Sequence, residues 1–426
     1  VERRLQFLVR TRQAAAALLT PMATHEVERG EVRAIGRGGE AVVETASGIV
    51  FVPGALPGEE LELRRSGSKR GAARGQLKRL LRRSAHRVDP VCPHVQRCGG
   101  CPLMIADAEL QRDIKLGFLR EACRGLPGAD ETSVDWVPSP KTLAYRRRAR
   151  MSWHGSTLGY RALRSKRVSD IDACPVLMPP LADAWTAVRV RITNALGGSG
   201  DIQLQLGDEG TVVVQISTGD SPAPALFEAC AALNDEACIA GVSLQAGDSG
   251  SAASWGDEHQ VLFSQANEGI NAALIDAVAD LAEPEGVRVL ELHSGVGNFT
   301  LELAARSPSA LSAVERDPRA VAACQAALKA RGLDARVSAG DANHPPKGHY
   351  DVLVLDPPRQ GARALFEESK VLPGPKRVVY VSCDTATLSR DLRMATERGY
   401  RVDRMIAFDM FPQTAHLESL VRLVRA

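Results

Sequence analysis

The sequence predicts an α/β protein whose C-terminal part is a doubly wound, Rossmann-like parallel sheet, preceded by a small OB-like β-barrel and a central β-containing unit. Three observations carry this. From about residue 263 onward, apolar strand runs alternate with helical periodicity, the βαβ signature. Before residue 85, short β-rich runs are separated by glycine turns. Between the two lies an uneven cluster of cysteines: Cys92, Cys98, Cys101 and, further on, Cys174.

The elements follow in order. Residues 1–23 read as an extension. Leu5 to Val9 and Ala14 to Leu19 are apolar but interrupted by Arg10, Arg12 and Gln13, a poor fit to a secretory signal, and Met22 is a candidate start. Residues 24–88 are the expected barrel, with strands Val27–Ile35, Ala41–Thr45, Gly48–Val52 and Glu60–Leu63. Residues 89–258 form the central unit, with a helical stretch near Ala106–Leu126, strands Ile202–Leu206 and Thr211–Ile216, and a loop at Gly247–Ser251. Its expected contribution is to shape a substrate cleft. Residues 259–426 hold strands Val287–Leu292, Leu311–Glu315, Tyr350–Leu355 and Arg377–Ser382, with helices Gly295–Ala305, Arg319–Arg331 and Thr385–Arg398. Ligands of such sheets bind at the carboxyl ends of the strands.

With 426 residues, two or three domains are expected. No apolar run is long enough to span a bilayer, so a cytoplasmic monomer with no membrane partner is expected. The net charge of +2 is unevenly spread: Arg64 to Arg87 contains ten Lys or Arg and no acid. Arg146, Arg147, Arg148 and Arg150 add a second cluster. One such run is ordinarily a solvated face; two in the first third of the chain fit a polyanion partner, and a barrel with a basic exit strand suits RNA. Nine cysteines, an odd number, argue against a disulfide framework.

Glu291-Leu292-His293-Ser294-Gly295-Val296-Gly297-Asn298 runs from a strand through a glycine turn into a helix. The turn lets the backbone approach a ligand, and Glu315 ends the next strand, where a carboxylate accepts ribose hydroxyls. The third glycine of the dinucleotide fingerprint is absent. A nucleoside without a pyrophosphate needs none, which favours S-adenosylmethionine over NAD. The competing reading is a tight turn before a helix.

Asp356-Pro357-Pro358-Arg359 ends one later strand and Ser382-Cys383-Asp384 the next. Most lone cysteines are small core hydrophobes. Cys383 differs in its polar neighbours and its place at the strand end. Phe411 to Glu418 brings an imidazole, His416, and a carboxylate towards the same region.

These residues resemble the RNA uridine-5-methyltransferase family, in particular its iron–sulfur-containing members with an N-terminal TRAM barrel. Five separated motifs match: Phe263 to Asn267, the glycine turn, Asp356 to Arg359, Ser382-Cys383 with Thr387 and Arg390-Asp391, and Phe411 to Glu418. The resemblance covers nearly everything after residue 24. It implies Cys383 as nucleophile and Glu418 as base, with Gln265, His293, Gly295, Gly297, Asn298, Glu315, Asp341 and Asp356 at positions contacting the cofactor or the base. Large ribosomal RNA leads as the implied substrate, with transfer RNA as the alternative. Three departures stand beside the chemistry: His293 where an aromatic Tyr or Phe is usual, Ser294 where Cys is common, and Asp384-Thr385 for Asn-Pro.

The cysteine spacing alone leaves zinc and an iron–sulfur cluster both open, leaning to the latter because one ligand stands far from the other three. The resemblance implies a [4Fe-4S] cluster on Cys92, Cys98, Cys101 and Cys174, with a structural role. Cys123, Cys230, Cys238 and Cys324 are expected as core thiols. Two rivals remain. A different methyltransferase is one: an amino-group enzyme would not need Cys383 and would carry an aromatic where Arg359 stands, and a cytosine-5 enzyme of RNA would usually show a second cysteine at the Asp356 strand end. An RNA-binding assembly factor with a vestigial catalytic domain would not need both Cys383 and Glu418.

Overall fold

Alternation of apolar and polar residues along five strands closes the N-terminal barrel. In the computed structural model, which describes residues 27–69, 71–207, 210–247, 251–256, 264–368 and 374–426, these are β1 (Val27–Ile35), β2 (Ala41–Thr45), β3 (Gly48–Val52), β4 (Glu60–Lys69) and β5 (Ala72–Arg82). The expected extension, Phe263 of the first family motif and most of the 247–251 loop lie outside the described residues. The barrel order is β1-β2-β3-β5-β4. Val32, Val43, Val50, Val52, Leu61 and Leu63 fill it. Gly30 is required in β1, because a Cβ there would stand 2.5 Å from Val43 Cγ1. Glu59 is buried with its carboxylate on the Leu56 and Ser84 amides, at 2.8 and 3.2 Å.

The first basic run spans the end of β4 and all of β5, and acids across the barrel meet much of it. Arg79 pairs with Glu62, Arg82 with Glu60 and Glu31, Arg65 with Glu28, and Arg74 with buried Glu40. A run free of acids along the chain is thus laced with them across the ladder.

The barrel makes one compact unit, and residues 86–426 with the short turn 37–39 the other. The second unit opens with helix α1 (Ala108–Cys123) and β6 (Val134–Val137). A seven-stranded sheet follows, built from β7 (Arg148–His154), β8 (Thr157–Arg161), β9 (Val168–Asp170), β10 (Ser199–Leu206), β11 (Val212–Thr218), β12 (Ile239–Ala246) and β13 (Ser251–Gly256). Helices α2 (Pro179–Ile192) and α3 (Pro224–Asn234) pack on it through Leu181, Trp185, Val188, Leu226 and Cys230.

The third sheet has eight strands. β14 (Arg288–Leu292), β15 (Ala310–Glu315), β16 (Arg336–Ala339), β17 (Val352–Leu355) and β18 (Arg377–Ser382) run parallel; β19 (Tyr400–Phe408) and β20 (Glu418–Arg425) form an antiparallel hairpin. Its order is β16-β15-β14-β17-β18-β20-β19-β6. Helices α4 (Glu268–Ala282), α5 (Thr300–Ala305), α6 (Pro318–Ala330), α7 (Arg363–Glu368) and α8 (Thr385–Glu397) accompany it. Two apolar cores hold it: one unites Leu290, Leu353 and Tyr380 with Leu119 of α1, the other Val289, Val354 and Val381 with Leu274 of α4. Residues 108–137 therefore belong to this last sheet, although they precede the central strands. β6 covers the edge that β19 would otherwise expose. Among the described residues no helix is long and apolar enough to cross a membrane.

Candidate active site

The carboxyl ends of β14, β15, β17 and β18 open into one cleft, whose far wall comes from the central sheet at Gln205, Gly207 and Thr211. Gln265, His293, Gly295, Asn298, Glu315, Asp341, Asp356, Cys383 and Glu418 all line it. Gly297 does not. Its backbone has a φ of 95°, and a Cβ would stand 2.7 Å from Cys324 Sγ, so this glycine lets the turn pack on α6.

The turn after β14 is built for a ligand. His293 and Gly295 are both left-handed, at φ of 65° and 57°. A Cβ on Gly295 would meet no atom within 4 Å, leaving the turn open to the cleft. Glu315 receives the Gly295 amide on one oxygen at 2.9 Å, and the Arg316 and Asp317 amides on the other at 2.7 and 2.9 Å. That binds the ends of β14 and β15 together around a carboxylate. Burial pushes His293 down, keeping its ring neutral. Asn298 forms a reciprocal amide pair with Asn271, at 2.9 and 3.0 Å. Asp341 is held low by the Asn343 amide and remains ionised.

The reacting groups meet at the other end of the cleft. Ser382 pairs with Ser419 across the antiparallel β18–β20 ladder, so the adjoining residues Cys383 and Glu418 stand side by side. Cys383 is partly exposed to the cleft, not sealed in the apolar core. Burial, then the neighbouring Glu418, pushes its thiol up to about 11, while Arg359 works in the opposite direction. Glu418 is 3% exposed, and burial with Asp356 beside it carries its pKa well above the carboxylate range. Burial also lifts Asp356 to about 7. His416 faces the same cleft, held down to about 4 by desolvation and by Arg359, Arg146 and Lys115. At this end of the cleft Arg359 is the cation that favours ionisation of both Cys383 and Glu418.

Each loop here is tied down. Asp384 caps α8 through the Ala386 and Thr387 amides at 2.9 and 3.0 Å, so this departure from Asn-Pro still starts the helix beside Cys383. Fully buried Asp391 accepts from the Ala362 amide at 2.7 Å, the Tyr380 hydroxyl at 2.6 Å and Arg390 Nε at 2.8 Å. Fully buried Lys115 of α1 donates to Asp409 and to the Phe411 carbonyl. Sequence reasoning assigned no role to Arg359, Asn271, Asp391 or Lys115. A Pro-Pro-Arg strand end and the Arg-Asp pair were visible, but their partners come from elements far apart in the chain.

Cys92, Cys98, Cys101 and Cys174 line a second, smaller cavity together with Arg146, Met104 and Tyr160. All nine cysteines are free thiols, and burial pushes Cys101 up to about 12. Among the described residues no three His, Cys, Asp or Glu side chains form a group able to hold one metal ion. Cys123, Cys230 and Cys324 are core thiols, and Cys238 packs at the edge of the central core.

A Rossmann-like sheet with an open glycine turn, an acidic strand end and a strand-end cysteine defines the class: a methyltransferase that uses S-adenosylmethionine. Comparison with known proteins narrows it. Residues 258–369 match the family model described as methyltransferase small domain, and residues 347–426 that described as tRNA (Uracil-5-)-methyltransferase. The chain is 32% identical over 424 residues to the 23S rRNA (uracil(1939)-C(5))-methyltransferase RlmD of Shewanella sediminis, covering 92% of this chain and 94% of that one. It is 33% identical over 411 residues to the protein of the same name from Pectobacterium atrosepticum, covering 90% of each. The Pyrococcus abyssi tRNA (uracil-54, C5)-methyltransferase, solved in complex with S-adenosyl-L-homocysteine, shares the fold, with a TM-score of 0.72 and 24% identity over 93% of this chain and 100% of that one. This chain belongs to the RNA uracil-C5-methyltransferase family.

Proposed function

We propose that this protein transfers a methyl group from S-adenosylmethionine to carbon 5 of a uridine in 23S ribosomal RNA, through a transient bond between Cys383 and carbon 6. The observation that carries the reading is the strand register that sets Cys383 beside Glu418 in the cleft. The choice of ribosomal over transfer RNA rests on the relatives that match along both chains, named for 23S rRNA.

Uracil carbon 5 is too weak a nucleophile to take a methyl group unaided. The Cys383 thiolate adds to carbon 6, the ring's electrons move onto the carbonyl as an enolate, and carbon 5 becomes nucleophilic. Carbon 5 attacks the electrophilic methyl carried by the donor's sulfonium, and the methyl–sulfur bond breaks with its electrons staying on sulfur, so that S-adenosylhomocysteine leaves. After transfer, Glu418 as carboxylate takes the carbon-5 proton, and the carbon 6–sulfur bond breaks to restore the double bond and the thiolate. Arg359 offsets the burial that disfavours both ionised groups. On this reading Glu315 holds the ribose hydroxyls, and Gln265, His293, Gly295, Asn298, Asp341 and Asp356 complete the donor and base contacts. A uridine stacked in RNA must leave its neighbours to reach Cys383.

The four-thiol cavity is read as the seat of a [4Fe-4S] cluster on Cys92, Cys98, Cys101 and Cys174. The four cysteines line one cavity, and an all-cysteine donor set is the usual cluster chemistry. Bound there, the cluster would tie residues 92–101 to residue 174. Residues 24–88 are read as a TRAM-like RNA-binding barrel, 89–258 as the cluster-bearing unit and 259–426 as the methyl-transfer domain of a cytoplasmic monomer, with the helix and strand over 108–137 lent by the central segment to the last sheet.

The test is methyl transfer from labelled S-adenosylmethionine to purified 23S rRNA and tRNA, with 5-methyluridine mapped in RNA from a strain lacking the gene. Label in 23S rRNA and a missing 5-methyluridine there support the reading. Label confined to tRNA, or to a base other than uridine, overturns it.

A further inference from the structure

One cation belongs to neither cavity alone. Arg146 follows the basic-cluster residue Tyr145 and is pinned by its backbone to the segment after Cys174: its amide donates to the Val176 carbonyl at 2.8 Å, and its carbonyl accepts from Met178 at 2.9 Å. Its side chain lines the four-cysteine cavity. Its guanidinium lies 5.9 Å from the Tyr145 ring centre and 5.7 Å from that of Phe411. Its Nε donates to the Tyr145 hydroxyl at 3.3 Å, and that hydroxyl donates to the Pro412 carbonyl at 3.2 Å.

Phe411 lines the methyl-transfer cleft and meets His416 edge-on, ring centres 6.0 Å apart. The Leu103 amide, two residues after Cys101, donates to the Gln413 carbonyl at 2.9 Å. The loop carrying His416 to Glu418 therefore rests on the cysteine segment on one side and on Arg146 on the other.

The charge of Arg146 needs an answer. Among the described residues its partners are aromatic rings and a phenol; no carboxylate pairs with it. A guanidinium held inside a protein without an anion is costly. The neighbouring cavity supplies anions once its four cysteines bind as thiolates, because their combined charge exceeds that of the core they hold.

We infer that Arg146 is a positioning residue coupling the two cavities: the metal-bound thiolates balance its charge, and its planar face holds Phe411 in the wall of the methyl-transfer cleft. This rests on reading the four cysteines as cluster ligands. A cation beside a cluster favours the more negative reduced state and so raises its reduction potential. Lysine keeps the charge but lacks the planar face that lies against an aromatic ring.

The test uses full-length protein purified without oxygen: wild type, Arg146→Met, Arg146→Lys and Phe411→Leu. Iron and sulfide per chain, reduction potential, and kcat and KM for RNA are measured. Arg146→Met is expected to shift the potential to more negative values and to lower kcat several-fold. Arg146→Lys is expected to keep the wild-type potential yet lose kcat, and Phe411→Leu to lose kcat with the potential unchanged. Should Arg146→Met fail to fold, the lysine and leucine variants still decide the coupling. Wild-type potential in Arg146→Met overturns the charge role, and wild-type kcat in both arginine variants overturns the coupling. Wild-type protein without iron overturns the cluster reading itself, an outcome separate from any change in the variants.

Discussion

Cys383 and Glu418 are neighbours because two antiparallel strands end in register, with Ser382 opposite Ser419. A nucleophile and a base 35 positions apart by number reach one cleft without any loop having to find its place. Burial there raises both pKa values, so both groups give up their protons less readily than they would in water.

The first prediction follows from that sign. The thiolate and the carboxylate are the active forms, and both are scarce below their raised pKa values, so kcat/KM should climb with pH from 6 to 9. Cys383 is faced by Glu418, Asp356 and Arg359, and Arg359 alone among these favours ionisation. Replacing it by Gln should move the profile to higher pH and lower the rate at pH 7 roughly tenfold. A profile flat across that range would contradict the assignment.

Glu315 joins the ends of β14 and β15 through three backbone amides. Glu315→Ala should weaken binding of S-adenosylmethionine by about 10- to 100-fold, the loss expected for charge-assisted hydrogen bonds. Calorimetric titration of the donor measures it, and unchanged affinity would remove Glu315 from the donor site.

Asp391 is fully buried and accepts from Ala362, Tyr380 and Arg390, so it ties the loop after Asp356 to the helix after Cys383. Asp391→Asn leaves the Arg390 cation without its buried partner. The expected cost is about 3 kcal/mol in denaturant unfolding. A cost under about 0.5 kcal/mol, the range of ordinary surface changes, would mean the tie carries nothing.

Glu291 sits 1% exposed in β14 with neither carboxylate oxygen hydrogen-bonded, and burial lifts its pKa from 4.5 to about 8. The folded state then holds a proton that the unfolded chain releases as pH rises from 4.5 to about 8, so this group costs stability progressively across that window. Glu291→Gln should erase that slope and gain on wild type most near pH 8. Parallel stability curves for the two proteins would refute it.

The parallel sheet was legible because its strands are continuous apolar runs ending in polar motifs, and those ends are where Cys383, Asp356 and Glu315 stand. What failed was whatever depends on pairing between distant segments. The basic exit strand was expected, but not the acids that meet Arg79 and Arg82, which stand on β4, across the ladder rather than along the chain. β6 is only four residues long and joins a sheet whose other strands begin some 150 positions later. Lys115 reads as one charge on a polar helix face, yet it is buried against the Asp409–Phe411 loop. Gly297 fits a ligand motif by spacing, but the bulk it makes room for is Cys324.

The covalent step is the centre of the account, and trapping it is the direct measurement. Glu418→Gln should accept the methyl group but fail to release carbon 6, leaving an RNA–protein adduct that survives a denaturing gel and vanishes when Cys383→Ala is added. Full methyl transfer by Cys383→Ala, with no adduct in Glu418→Gln, would contradict it.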